Sequence, residues 1–199
     1  MSDEAAGAVI GPNAVLQLLP QIERIGGAAR VARMLAEAGI FEVPDGRRMI
    51  PETQAMRLHQ VLRRDAPDLA PALAARAGRA TADYILAYRI PVPARTMLKL
   101  LPAPLAARGL SRAIVRHAWT FAGSGRFRAL SPWRFEIAQN PIVRGEVSAV
   151  PLCHWHAAVF ARLYACLVAP GCTCVETHCT AQPGRGMCRF DIRRSGATA

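Results

Sequence analysis

The segment CTCVETHCTAQPGRGMCRF, residues 172–190, concentrates four of the chain's six cysteines, with a glutamate and a histidine between them. Cys153 and Cys166 lie shortly upstream, and residues 1–152 contain no cysteine. Thiolates and carboxylates at this density can bind a tetrahedral zinc ion; in an oxidising compartment the same cysteines would form a disulfide framework. The stretch MSDEAAGAVIGPNAV begins with acidic residues and has no basic n-region followed by an apolar h-region. No apolar run reaches the roughly 18 residues that span a bilayer. The expectation is a cytoplasmic protein, whose reducing surroundings disfavour disulfides and leave metal binding or free thiols.

A hairpin would position these groups. The end of the chain reads as two strands around the turn Gln182-Pro183-Gly184-Arg185. Symmetric pairing about that turn sets Cys179 opposite Cys188, with β-carbons about 4.5–5.5 Å apart. Both sulfurs could then reach one ion at a Zn–S distance near 2.3 Å. Glu176, three residues before Cys179, could add an oxygen. Cys153 would start the preceding helix, where the dipole and free N–H groups favour a thiolate. Three thiolates and a carboxylate close a tetrahedral shell, an arrangement that is structural rather than catalytic. The spacing leaves other ligands open. There is no CxxC pair, and Cys172, Cys174, His154, His156 and His178 all compete.

The surrounding elements follow from periodicity. Residues 13–39 read as two helices, capped by Asn13 and broken at Gly26-Gly27. The stretch FEVPDGRRMIPE is a connection, and residues 51–82 are helical with a break near Asp65-Ala66-Pro67. Four prolines punctuate residues 90–110 into short helices, and helical spacing returns in LSRAIVRHAWTFAG. Phe135 and Ile137 alternate with polar residues, as in a strand, and Leu152 to Leu167 carries one apolar helical stripe. The expected class is α+β: a helical N-terminal half packed on an antiparallel sheet. The expected division is residues 1–125, helical, and residues 126–195, holding the cysteine-rich site.

Charge is as uneven as cysteine. The formal net charge is +11, and residues 70–135 hold eleven basic residues against one acid, Asp83. Such a surface suits carboxylates, acidic lipid headgroups or an acidic partner. Nucleic acid is not expected, because the basic residues are interleaved with apolar stretches and no zinc-finger, RNP or helix-turn-helix pattern is present.

The run NPIVRG, PLCHW, VETHC and GRGMCRFDI, within residues 140–192, resembles the vinyl-4-reductase domain family, whose hallmark is Cys…Glu-x-x-Cys…Cys-x-Phe. In related sensor domains those positions ligate zinc, which implies Cys153, Glu176, Cys179 and Cys188 here. GPNAVLQLLP, ADYILAYRIP and RHAWTFAGSGRF extend the resemblance over nearly the whole chain, to the stand-alone bacteriochlorophyll-synthesis 4-vinyl reductase proteins of purple bacteria. That resemblance implies the ligand-binding fold of haem-NO-binding and Golgi-transport domains, a homodimer, and a divinyl Mg-tetrapyrrole such as divinyl protochlorophyllide as ligand. It also implies contact with other bacteriochlorophyll-synthesis enzymes, at or near the photosynthetic membrane.

A reductase needs an electron source, and the residues supply no recognisable one. GSGRF at 123–127 and GRGM at 184–187 lack the third glycine and the βαβ setting of a dinucleotide site. No flavin signature is present either. The residues therefore favour a carrier or accessory role, with an 8-vinyl reductase fed by an external donor as the alternative. A third reading, a sensor module, lacks any ATPase or DNA-binding output region. For the pigment, Trp119, Phe121, Trp133, Trp155 and Phe160 can supply walls. Arg89, Arg116 and Arg126 can meet carboxylates, and His117 or His154 can offer a ring nitrogen to magnesium.

Overall fold

Prolines mark where most helices of the N-terminal half begin, because a proline in the first turn forgoes only an N–H that has no helical partner. The computed structural model describes residues 7–194; the acidic stretch 1–6 and residues 195–199 lie outside it. A short strand β1 (Val9–Ile10) precedes α1 (Asn13–Leu16) and α2 (Leu19–Glu37), and β1 pairs antiparallel with β2 (Ile50–Pro51). Two expectations are corrected here. Gly26-Gly27 does not separate two helices but kinks one, with Gly27 at φ 66°. Asn13 is not a cap: Pro12 holds that position, and the Asn13 Oδ1 accepts from Gln17 Nε2 within the helix. The strand β2 inside the expected connection also went unforeseen, being only two residues long.

Four helices follow: α3 (Glu52–Asp65), α4 (Ala70–Tyr88), α5 (Val92–Leu100) and α6 (Ala103–Arg116), broken where the sequence predicts. The single-turn α7 (Trp119–Ala122) leads into β3 (Arg126–Ser131) and β4 (Arg134–Ala138). After a 3-10 turn at Pro141–Val143 come α8 (His154–Leu167), β5 (Thr173–His178) and β6 (Met187–Arg193). The last four strands form one antiparallel sheet in the order β3-β4-β6-β5.

Helix α8 lies between the sheet and α4, which explains its apolar surface on nearly every side: Trp155, Ala158, Val159, Phe160, Leu163 and Leu167 are all buried. Gly78 permits the close crossing with α4. A Cβ there would lie 2.3 Å from the Trp155 carbonyl oxygen. Beneath α8, Phe160 meets Phe135 and Phe190 with ring centroids 5.1 and 5.3 Å apart, and Phe121 meets Phe127 at 5.2 Å. The core is continuous across residues 1–125 and 126–195, since buried side chains of α1 to α4 share one hydrophobic cluster with those of α8 and the sheet.

The GSG stretch has a structural task. Glu52 is fully buried and accepts hydrogen bonds from the Ser124 N–H (2.7 Å), the Ser124 hydroxyl (2.8 Å) and Arg144 Nη1 (2.7 Å). Gly123, at φ 55°, makes room: a Cβ would sit 2.3 Å from Glu52 Oε2. A buried carboxylate thereby gains a charged partner and two further donors, the condition under which such burial is tolerated.

Two histidines are buried as neutral rings. His59 Nε2 lies 3.0 Å from the Ala14 carbonyl oxygen, and His156 Nε2 lies 3.3 Å from that of Phe121. Desolvation lowers His59 to about 3 and His156 to about 4. In the unfolded chain both protonate near pH 6.5. Acidification from there protonates the unfolded state alone, so stability falls as pH drops, by up to about 1.4 kcal/mol per pH unit for each ring. Urea midpoints measured between pH 6.5 and 5 should show this slope, and His59→Gln should remove roughly half of it.

Candidate metal centre

Four segments converge on one buried point. Cys188 sits in β6 opposite Ile137 of β4, and Cys153 is the residue that caps α8. Glu176 in β5 faces Phe190 of β6, and the pairing then slips, so that His178 faces Arg189. That bulge sets the geometry. Residues three apart in an unbroken strand point to opposite faces, and the extra residue, Thr177, restores Glu176 and Cys179 to the same side. One residue beyond the slipped pair on each chain segment stand Cys179 and Cys188, the two that the symmetric hairpin predicts to meet.

The donor atoms of Cys153, Glu176, Cys179 and Cys188 all lie within 4.8 Å of one another. The Sγ–Sγ separations are 3.4 Å (153 to 188), 3.9 Å (188 to 179) and 4.0 Å (153 to 179). Thiolates around a tetrahedral zinc ion with Zn–S near 2.3 Å are about 3.8 Å apart. Glu176 Oε2 accepts the Cys153 backbone N–H at 2.6 Å, while Oε1 is buried without a partner. One oxygen is thus held by the helix start and the other is left free. A divalent cation fits that donor set.

Electrostatics point the same way. Burial, then the charge at Cys179, lifts the Glu176 carboxyl to about 8. Burial also drives the Cys153 thiol well above its ordinary range. Cys179 is held well below that range, because Cys153 and Cys188 both hydrogen-bond to its sulfur. With no cation, one negative charge settles at Cys179 and its neighbours stay protonated.

Donors surround the sulfurs. Asn140 is buried, and its Nδ2 lies 3.2 Å from Cys153 Sγ and 3.6 Å from Cys188 Sγ, while its Oδ1 accepts from the Ile142 N–H. The Thr180 N–H donates to Cys188 Sγ at 3.4 Å. Gln182 accepts the Cys179 N–H and donates to the Ala149 carbonyl. Groups of this kind orient ligands and stabilise their charge. Sequence reasoning missed all three. The one signal for Asn140 was its place at the head of NPIVRG, just after Gln139, which turns the chain at φ 54°.

The competing ligands stay outside. Among the described residues, Cys166, Cys172, Cys174, His154, His156 and His178 are not in the four-donor group. His178 Nδ1 lies 3.3 Å from the Thr177 hydroxyl, and His156 faces Phe121. The six residues expected around a pigment do not gather at one cavity. Trp155 is buried, its Nε1 donating to Thr81 Oγ1, and Trp133 packs on Tyr164. Phe121 belongs to the aromatic layer under α8, whereas Arg116, His117 and Trp119 face solvent after α6.

The vinyl-4-reductase domain family matches residues 133–194, the span that holds all four donors. The "Bacteriochlorophyll synthase 23 kDa chain" of Cereibacter sphaeroides is 51% identical over 189 residues, covering 94% of this chain and 91% of that one. Its counterpart in Rhodobacter capsulatus is 44% identical over 189 residues, 94% of this chain and 88% of that one. The chain belongs to the bacteriochlorophyll synthase 23 kDa chain family. Its fold is also that of H-NOX domains. An Fe(II) unliganded H-NOX mutant from K. algicida gives a TM-score of 0.53 at 11% identity, covering 92% of this chain and 96% of that one. An H-NOX structure solved to probe haem distortion gives 0.56 at 10% identity, covering 96% and 97%. This likeness bears out the expected helical layer on an antiparallel sheet.

Within this family member, the four donors act as a set. Cys179→Ser or Cys188→Ser should abolish zinc retention in elemental analysis, whereas Cys172→Ser and Cys174→Ser should retain it. A loss of about 4 kcal/mol with the ion corresponds to a drop of roughly 8–16 °C in Tm for a chain of this size.

Proposed function

We propose that the protein is an accessory protein of bacteriochlorophyll synthesis that binds a divinyl Mg-tetrapyrrole, of the divinyl protochlorophyllide class, and holds it for other enzymes of that synthesis. One zinc ion per chain, held by Cys153, Glu176, Cys179 and Cys188, ties its hairpin to α8. The two relatives named as a chain of bacteriochlorophyll synthase support the process. The closed, buried Cys3Glu cluster carries the choice of role: the chain's densest group of reactive side chains has its donors turned on one another, which suits structure rather than turnover. The GSG loop supports the same reading, because Gly123 and Ser124 close on the Glu52 carboxylate.

A flat apolar macrocycle with acidic substituents calls for an aromatic face, a cation and a magnesium ligand. Trp119, Arg116 and His117 are the predicted residues whose side chains are exposed and uncommitted to the core. Trp119 can stack on the ring, Arg116 can pair with a carboxylate, and His117 can offer a ring nitrogen. In this reading Phe121, Trp133 and Trp155 shape the layer beneath. The working form is a homodimer.

An anaerobic absorption titration with divinyl protochlorophyllide tests this. The expected result is a saturable spectral change with no monovinyl product when NADPH or reduced ferredoxin follows. His117→Ala and Trp119→Ala should each weaken binding about tenfold, the equivalent of about 1.4 kcal/mol. Conversion to the monovinyl pigment, dependent on protein and donor, would replace the carrier with an 8-vinyl reductase.

A further inference from the structure

Helices α5 and α6 present a surface that the core does not require. Between Asp83 and Glu136 the chain has no acidic residue. Within that span Arg89, Lys99, Arg108, Arg112 and Arg116 are exposed. None of the five belongs to an ion pair among the described residues, although eleven such pairs form elsewhere. Asp83 is itself taken by Arg162. The basic residues are regularly placed. Arg108, Arg112 and Arg116 recur every four residues along the outer side of α6, while Ala106, Ala107, Leu110 and Ile114 bury the inner side.

Large apolar side chains stand among these cations. Tyr88 is 76% exposed, Val92 62%, Met97 58% and Leu100 81%, with Leu105 and Val115 nearly half exposed. A folded protein rarely leaves so many large side chains in water over so short a span without a partner. The surface offers no groove for an inserted peptide: the cavity beside His59 and His154 and the one beside Trp133 and Asp191 include no residue of α5 or α6. No described helix is long and apolar enough to cross a membrane. Protruding apolar side chains ringed by unpaired cations match the boundary of a bilayer, where acyl chains accept the former and phosphates the latter.

We infer that the α5–α6 face docks the protein on an anionic lipid surface, with Met97 and Leu100 entering the acyl boundary and Lys99, Arg108 and Arg112 meeting headgroup phosphates. Such a contact is peripheral, salt-sensitive and reversible. It does not depend on which ligand the protein carries, and the three named cations lie outside the residues assigned to pigment.

Co-sedimentation with phosphatidylcholine vesicles, with and without about 30% phosphatidylglycerol to supply a negative surface potential, tests the inference. The wild type should bind the anionic vesicles at low salt, bind neutral ones weakly, and dissociate as salt rises. Each cation removed should lower the partition coefficient about fivefold, so Lys99→Gln/Arg108→Gln/Arg112→Gln should lower it about a hundredfold. Leu100→Ser should weaken binding without changing its salt dependence. Zinc content and circular dichroism matching the wild type would establish that these variants fold. Equal binding to both vesicle types, or unchanged binding by the triple variant, would overturn the inference. So would binding to polyglutamate but not to anionic vesicles, which would assign the face to an acidic protein.

Discussion

Burying three sulfurs and a carboxylate at one point imposes a charge constraint on the whole C-terminal half. Left alone, the four groups of Cys153, Glu176, Cys179 and Cys188 compete for protons, and only one sulfur readily keeps a negative charge. A divalent cation removes that competition and uses the Glu176 oxygen that no protein donor reaches. The cation would join elements that the chain connects only through loops: the start of α8, the bulged end of β5 and the middle of β6. Asn140 adds the end of β4 through its contacts with two sulfurs. Binding energy at such a site becomes folding energy for everything it ties together.

That tie fixes where α8 begins, and α8 in turn organises the rest. Its inner side completes the phenylalanine layer on the sheet, while its outer side receives α4 at the Gly78 crossing. The N-terminal helices gain their place through that crossing and through Glu52, whose carboxylate joins α3 to the loop ahead of β3 and to Arg144. Metal site, helix and buried carboxylate form a chain of constraints running from the hairpin to the far helices. The exposed face of α5 and α6 lies outside it, free to serve a partner.

Much of the site was legible because its information is local. Cys179 and Cys188 are equally far from the Pro-Gly turn, so hairpin symmetry alone opposes them, and a helix start at Cys153 follows from the apolar stripe behind it. The Glu-x-x-Cys spacing looked wrong for one strand face, and only the bulge at Thr177 reconciles it. Asn140 could not be found this way, since its contacts with sulfurs 13 and 48 residues away depend on tertiary placement. The aromatic residues misled for the opposite reason. Trp155 and Phe121 carry the same pattern whether they line a cavity or fill a core, and here they fill it. The Gly26-Gly27 pair marked a real irregularity, but neighbouring hydrogen bonds carry α2 through it as a kink.

X-ray absorption at the zinc edge, on protein purified without chelators, tests the central claim most directly. The account predicts one zinc per chain with about three sulfurs near 2.3 Å and one oxygen near 2.0–2.2 Å. A shell of four sulfurs would put Cys172 or Cys174 in place of Glu176 and contradict the assignment. A stable, folded protein that binds no zinc would contradict the constraint on which the rest of the structure is argued to depend.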